Sequence, residues 1–212
     1  MSPIVLTAPA SDELELEFDE EVGSMNDKHL ELCSSAEWAE AVQRWIIPWV
    51  LDDVQLGDDV LEVGPGPGRT TEVLRGLAPR LTAIEVDRDL ADSLAERMAG
   101  SNVEVLHGDA TELPLPDGRF SAALSFTMLH HVPSVVLQDR LFAEVARVLR
   151  PDGVFAGVDS LDSDGFRELH DGDICVPIDP AGLPDRLASA GFGDVSVDTN
   201  DYGVRFRARV ST

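Results

Sequence analysis

The sequence predicts an open α/β fold: a mostly parallel sheet of seven strands with helices on both faces and an antiparallel hairpin at one edge. From Asp58 onward, short apolar runs at Asp59–Val63, Leu81–Glu85, Val103–Leu106, Ser121–Phe126 and Val154–Val158 alternate with helical patterns. Strands apolar on both faces belong to a parallel sheet enclosed by helices. Two further strand-like runs, Val195–Thr199 and Val204–Val210, are separated only by residues 200–203. That gap is too short for a parallel crossover, so the pair must be antiparallel. The 212 residues are 43% hydrophobic and 26% charged, enough for one ordinary domain with a full core.

Residues 1–24 read as a flexible acidic arm. After a Pro- and Ala-rich start come Asp12, Glu13, Glu15, Glu17, Asp19, Glu20 and Glu21, whose mutual repulsion opposes burial. Residues 25–212 read as one domain, with 25–55 as a helical cap. In that cap Trp38, Val42, Trp45, Ile46, Trp49 and Val50 predict a helix over about Ser35–Leu51, capped by Ser34 or Ser35 and bent or shortened at Pro48. Three tryptophans on one helical face predict core packing. Leu90, Leu94 and Met98 mark a second helix, and Leu137, Leu141, Val145, Val148 and Leu149 a third. Leu183, Leu187 and Ala190 mark a last helix ended by Gly191, and residues 160–178 form an insertion before it.

The 16 Lys plus Arg stand against 40 Asp plus Glu, a formal charge of −24. Such a field repels a phosphate backbone, and no Lys/Arg cluster offsets it, so neither nucleic acid nor an anionic membrane surface is expected as a partner. Cys33 and Cys175 lack a CxxC or Cys/His spacing. They predict reduced thiols, with no metal site and no disulfide framework. No apolar run approaches the ~20 residues of a membrane span, and no signal-peptide pattern opens the chain. A soluble cytoplasmic protein, monomeric or homodimeric, is expected.

An open α/β sheet binds its ligand at the carboxyl ends of its strands. The first strand there runs into Val60-Leu61-Glu62-Val63-Gly64-Pro65-Gly66-Pro67-Gly68-Arg69. A dinucleotide fingerprint needs GxGxxG, but Arg69 stands at its third glycine, and Pro65 and Pro67 remove two amide donors. Glu62 brings a carboxylate that opposes a pyrophosphate and suits a cation. The loop therefore fits close approach to a nucleoside carrying an amine.

Glu62-x-Gly64-x-Gly66-x-Gly68 after a strand resembles the first motif of the class I S-adenosylmethionine-dependent methyltransferases, which have a Rossmann-like fold. The likeness extends over roughly residues 36–210 and includes Ala83-Ile84-Glu85-Val86-Asp87, His107-Gly108-Asp109-Ala110, the segment Phe120–Val132 and Arg147-Val148-Leu149-Arg150-Pro151-Asp152-Gly153. Asp152 departs from the glycine common there. The resemblance implies S-adenosylmethionine as cofactor and S-adenosylhomocysteine as product. It assigns Glu85 to the two ribose hydroxyls, the Asp109 side chain to the adenine amine and the Ala110 amide to a ring nitrogen. Glu62, Gly64, Pro65, Gly66, Gly68, Val86 and Ser125 complete the implied cofactor-binding set.

His130 and His131 follow the fourth strand, where the donor methyl should point, and are the first candidates for a catalytic base. Asp159, ending the fifth strand, is the next. In this family insertions such as 160–178 often cover the acceptor site, so Arg167 and His170 are candidates for orienting a substrate. The Asn-Pro-Pro-Tyr sequence of adenine- and glutamine-methylating enzymes is absent, and two cysteines are too few for an arsenite methyltransferase. The flavour is that of the type-11, ubiquinone-biosynthesis-like group, implying a small-molecule acceptor methylated on C, O or N. The alternative is the same fold binding the cofactor without methyl transfer, as a cyclase-like or regulatory scaffold protein.

Overall fold

The protein is described by a computed structural model over residues 25–201 and 203–211; the acidic arm expected at 1–24 lies outside the described residues. The strands are β1 (Asp59–Val63), β2 (Arg80–Glu85), β3 (Val103–His107), β4 (Phe120–Phe126), β5 (Leu149–Ser160), β6 (Phe192–Thr199) and β7 (Gly203–Val210). They form one sheet in the order β3-β2-β1-β4-β5-β7-β6. The first five run parallel, and β7 lies antiparallel between β5 and β6. The expected edge hairpin is therefore present. The strand order reverses between β1 and β4, which makes their carboxyl ends the natural crevice.

Side chains alternate across the sheet, so each strand feeds two cores. Leu61 and Val63 point to the face covered by α6 (Val135–Val148) and α8 (Leu183–Ser189), where Leu141, Phe142, Phe155, Leu183 and Phe206 are buried. Val60, Leu124 and Ala156 point to the opposite face, covered by Val42, Ile47 and Val50 of the cap. Each such Leu, Val or Phe contributes about 1.5–3 kcal/mol by leaving water. α4 (Arg69–Leu74) and α5 (Arg88–Met98) make the crossovers beside β1 and β2. Asp87 caps α5 by accepting the Leu90 N–H at 3.0 Å.

The helix expected over about Ser35–Leu51 is present as α2 (Ala36–Ala41), a π-turn over Val42–Ile46 and α3 (Ile47–Val50), and a separate α1 (Asp27–Ser34) precedes it. Ser35 caps α2. Pro48 explains the π-turn. Its missing N–H and its ring are incompatible with the carbonyl one turn back, and the wider turn, with Ile47 N–H bonded to Val42 C=O, absorbs the mismatch. The extra residue rotates the helix, so Trp45 is 71% exposed and not in the core, while Trp38 and Trp49 pack against the buried cluster. Among the described residues no helix is long and apolar enough to cross a membrane.

Candidate active site at the carboxyl edge of the sheet

The glycine loop leaves β1 with left-handed dihedrals at Gly64, Gly66 and Gly68 (φ +63°, +53° and +82°). A Cβ on Gly68 would lie 2.4 Å from Leu94 Cδ1, and one on Gly64 would lie 2.8 Å from Met128 Cε, so both space and backbone demand glycine. Pro65 C=O accepts the Gly68 N–H at 2.9 Å and closes the turn. Met25 reaches over the loop, its Cε 3.7 Å from where a Gly66 Cβ would stand.

The two acids of the motif take different places. Glu62 is only 1% exposed and points into the protein, where its oxygens accept the hydroxyls of Thr70 and of Thr71, the latter at 2.7 Å. It therefore grips the start of α4, and burial pushes its carboxyl up to about 7. Glu85 ends β2 at the edge itself. It accepts the Gly66 N–H at 2.8 Å and the Asp87 N–H at 3.0 Å, and burial raises its pKa above the usual carboxylate range. Asp109 follows β3 and accepts the Thr111 N–H at 2.7 Å, with Ala110 buried beside it. Val86 is exposed next to Glu85, and its carbonyl meets His107 Nε2 at 3.1 Å. Ser125 is fully buried in β4 between Val63 and Gly157, and its Oγ has no partner among the described residues. Glu85, Asp109 and the glycine loop thus share one edge, whereas Glu62 and Ser125 lie behind it.

A second group lies past the end of β4. Thr127, at φ +49°, turns the chain into a 3₁₀ turn over Leu129–His131. Gln138 of α6 holds this turn, donating to Leu129 C=O and Val176 C=O at 3.0 and 2.8 Å. Asp159 Oδ1 lies 2.5 Å from His130 Nδ1, and Oδ2 accepts the His130 N–H at 3.3 Å. His130 Nε2 lies 3.0 Å from Nε2 of His170, whose Nδ1 meets Phe166 C=O at 2.7 Å beside α7 (Asp164–Leu169). His29 of α1 stacks on His131, its Nδ1 3.2 Å from Asp173 Oδ2. Burial lowers the pKa of His29 and His170 and drives that of His131 to about 2, so these rings are neutral near pH 7.

The structure thus brings together three predicted residues, His130, His131 and Asp159, with His170. Arg167 is instead exposed and paired with Asp162 at 2.6 Å. Sequence reasoning missed His29 and Asp173. They are 144 positions apart, and only the fold makes them neighbours.

Residues 61–157 match the family model described as "Methyltransferase domain". A ribosomal RNA small subunit methyltransferase A of Parasynechococcus marenigrum is 40% identical over 103 residues, 47% of this chain and 34% of that protein. A probable S-adenosylmethionine-dependent methyltransferase of Mycobacterium tuberculosis is 30% identical over 157 residues, 70% of this chain and 54% of that protein. The chain thus spans about a third to a half of the length of these curated relatives, and their names do not narrow the acceptor. A solved S-adenosylmethionine-dependent methyltransferase from Aquifex aeolicus superposes with TM-score 0.66 at 20% identity, covering 85% of this chain and 96% of that one. The resemblance carried by the glycine loop, Glu85 and Asp109 is therefore the one the comparisons return: residues 61–157 are a methyltransferase domain, in a sheet with the fold of the class I S-adenosylmethionine-dependent methyltransferases.

Proposed function

We propose that the chain binds S-adenosylmethionine at the carboxyl edge of β1, β2 and β3 and transfers its methyl group to a small-molecule acceptor. The observation that carries this reading is the convergence of three positive-φ glycines, Glu85 and Asp109 on one edge, with the histidine group beyond β4 next to it. The donor set fits the group. A buried carboxylate with lone pairs to spare at Glu85 suits two vicinal hydroxyls. Asp109 and the Ala110 amide suit an adenine edge, and the bare glycines admit a ligand against the backbone. Glu62 serves this pocket from behind, by fixing the turn into α4.

When bound, the cofactor supplies an electrophilic methyl on a sulfonium; the acceptor forms its bond to that carbon as the carbon–sulfur bond breaks toward sulfur. The chain's own contribution is alignment and exclusion of water. Alignment can lower the barrier by ~7–11 kcal/mol in favourable cases. Residues 25–55 and 160–178 supply the cover, α1 and the segment after α7 meeting above the histidines through Asn26 and Asp173. His130, with Asp159 at its Nδ1, stands past the end of β4 on the expected acceptor side and is the candidate to draw a proton from an acceptor hydroxyl or amine, whereas burial leaves His131 too weak a base.

The acceptor class rests on charge: −24 with no basic cluster disfavours a nucleic-acid backbone. Calorimetric titration with S-adenosylmethionine and S-adenosylhomocysteine, with NAD as control, tests the pocket. Micromolar binding of both sulfur ligands with NAD silent is expected, and no binding overturns the reading. Isotope-labelled methyl donor offered with a metabolite extract or with ribosomal RNA then tests the acceptor. Label in small molecules is expected. Label in RNA alone overturns the acceptor class, and binding without any turnover favours the non-methylating alternative.

A further inference from the structure

We propose that the Nε2 atoms of His29, His130, His131 and His170 bind one divalent transition-metal ion, zinc foremost. Nδ1 of His29 faces the Asp173 carboxylate, Nδ1 of His130 the Asp159 carboxylate and Nδ1 of His170 the Phe166 carbonyl. Those oxygens only accept, so each Nδ1 is the donor and Nε2 is left as the ligand atom of each ring. The fully buried Nε2 of His131 has no partner among the described residues.

Four ring nitrogens therefore gather in one place. His130 and His170 set their Nε2 atoms 3.0 Å apart. A cation between them would be bound by both. The four ligand atoms lie within 4.8 Å of one another, and tetrahedral coordination at ~2.0–2.1 Å would bring them to about 3.3 Å, within reach of small ring movements. Carboxylates and carbonyls behind the ligating rings are the usual outer partners of metal-bound histidine, fixing tautomer and orientation. An all-imidazole set suits zinc, copper, nickel or iron and not the oxygen-seeking magnesium or calcium.

With four protein nitrogens the sphere is closed, and the ion serves as a structural clasp joining α1 and α7 to the turn after β4. His130 and His131 are then ligands and not bases in the loaded protein. The inference does not depend on methyl transfer; a chain that transfers no methyl would still bind the ion.

The test strips the full-length protein with a chelator and titrates it with cobalt(II), then zinc(II). One cobalt per chain with the intense visible bands of a four-coordinate site is expected, displaced by one equivalent of zinc and accompanied by a higher Tm. Carboxylate-bound cobalt, the background expected from 40 acidic residues, is six-coordinate and absorbs weakly. His29→Ala should abolish the intense bands, and Asp173→Asn, which keeps all four histidines, should weaken affinity about 10–100-fold. Only weak bands in folded wild-type protein, or intense bands unchanged in both variants, would overturn the proposal. Should His29→Ala unfold, the wild-type spectrum and Asp173→Asn decide.

Discussion

Oε2 of Glu85 accepts the Gly66 N–H at 2.8 Å, so the carboxylate that ends β2 also holds the middle of the loop that ends β1. Its other oxygen accepts the Asp87 N–H, the residue that caps α5. One side chain thereby ties two neighbouring strand ends and a helix start into a single rim. Anything that binds Glu85 is bound to the loop's shape as well.

Glu85→Ala should therefore weaken S-adenosylmethionine binding by at least about tenfold, since hydrogen bonds to a charged group contribute about 1.5–3 kcal/mol each. Calorimetry reads this directly. Equal affinities for wild type and variant would remove Glu85 from the pocket.

Gly68 and Gly100 separate backbone strain from crowding. Both have positive φ, +82° and +75°, but a Cβ on Gly100 meets nothing within 4 Å while one on Gly68 would strike Leu94. Gly100→Ala should cost about 1 kcal/mol, and Gly68→Ala clearly more. Urea denaturation of the two variants checks the order, and equal losses would show that Leu94 yields freely.

Glu62 predicts a pH dependence of stability. Its folded pKa is raised from the ordinary 4.5 to about 7, so the folded state holds the proton more tightly than the unfolded one. Its contribution is undiminished below pH 4.5 and becomes a growing penalty as pH rises to about 7, reaching ~3 kcal/mol at most. Glu62→Gln cannot ionise, so its stability should fall less than that of wild type between pH 5 and pH 8 in urea titrations. Parallel curves would place the proton elsewhere.

Trp45 and Trp49 should behave oppositely despite sharing a helix in the sequence pattern. Trp45→Ser, at an exposed site, should change stability by no more than about 0.5 kcal/mol. Trp49→Ala should cost about 2 kcal/mol or more, because its ring packs on the buried cluster with the Arg205 guanidinium 5.4 Å away. Acrylamide quenching gives a second reading: Trp45→Phe should remove the most accessible fluorescence.

What was legible in the sequence was what repeats over short distances. Alternating apolar runs located seven strands, and the four residues between the last two implied their antiparallel pairing. The resemblance carried by the glycines, Glu85 and Asp109 pointed to the rim, because each follows the end of its own strand. Trp45 was misread because one π-turn adds a residue to the helical period, and a pattern count assumes that the period is constant. The role of Glu62 was hidden because position along β1 does not say that Thr70 and Thr71 will turn back to meet it. The histidine group was least legible: it draws on three separate segments, and no local pattern in α1 marks His29 as different from any polar helix residue.

The contact of α1 with Asp173 has a consequence for the order in which the molecule comes apart. The Asn26 N–H reaches Asp173 across 147 positions of chain. A contact of such long range closes a very large loop and forms late in folding. The helix it secures buries only His29 within its own length. Little apolar area holds α1 down, so in the absence of a bound ion it can detach at a small fraction of the global unfolding free energy while the seven strands stay paired. Peeling of this one polar clasp gives a molecule of the size of S-adenosylmethionine a route to the rim that leaves the core intact.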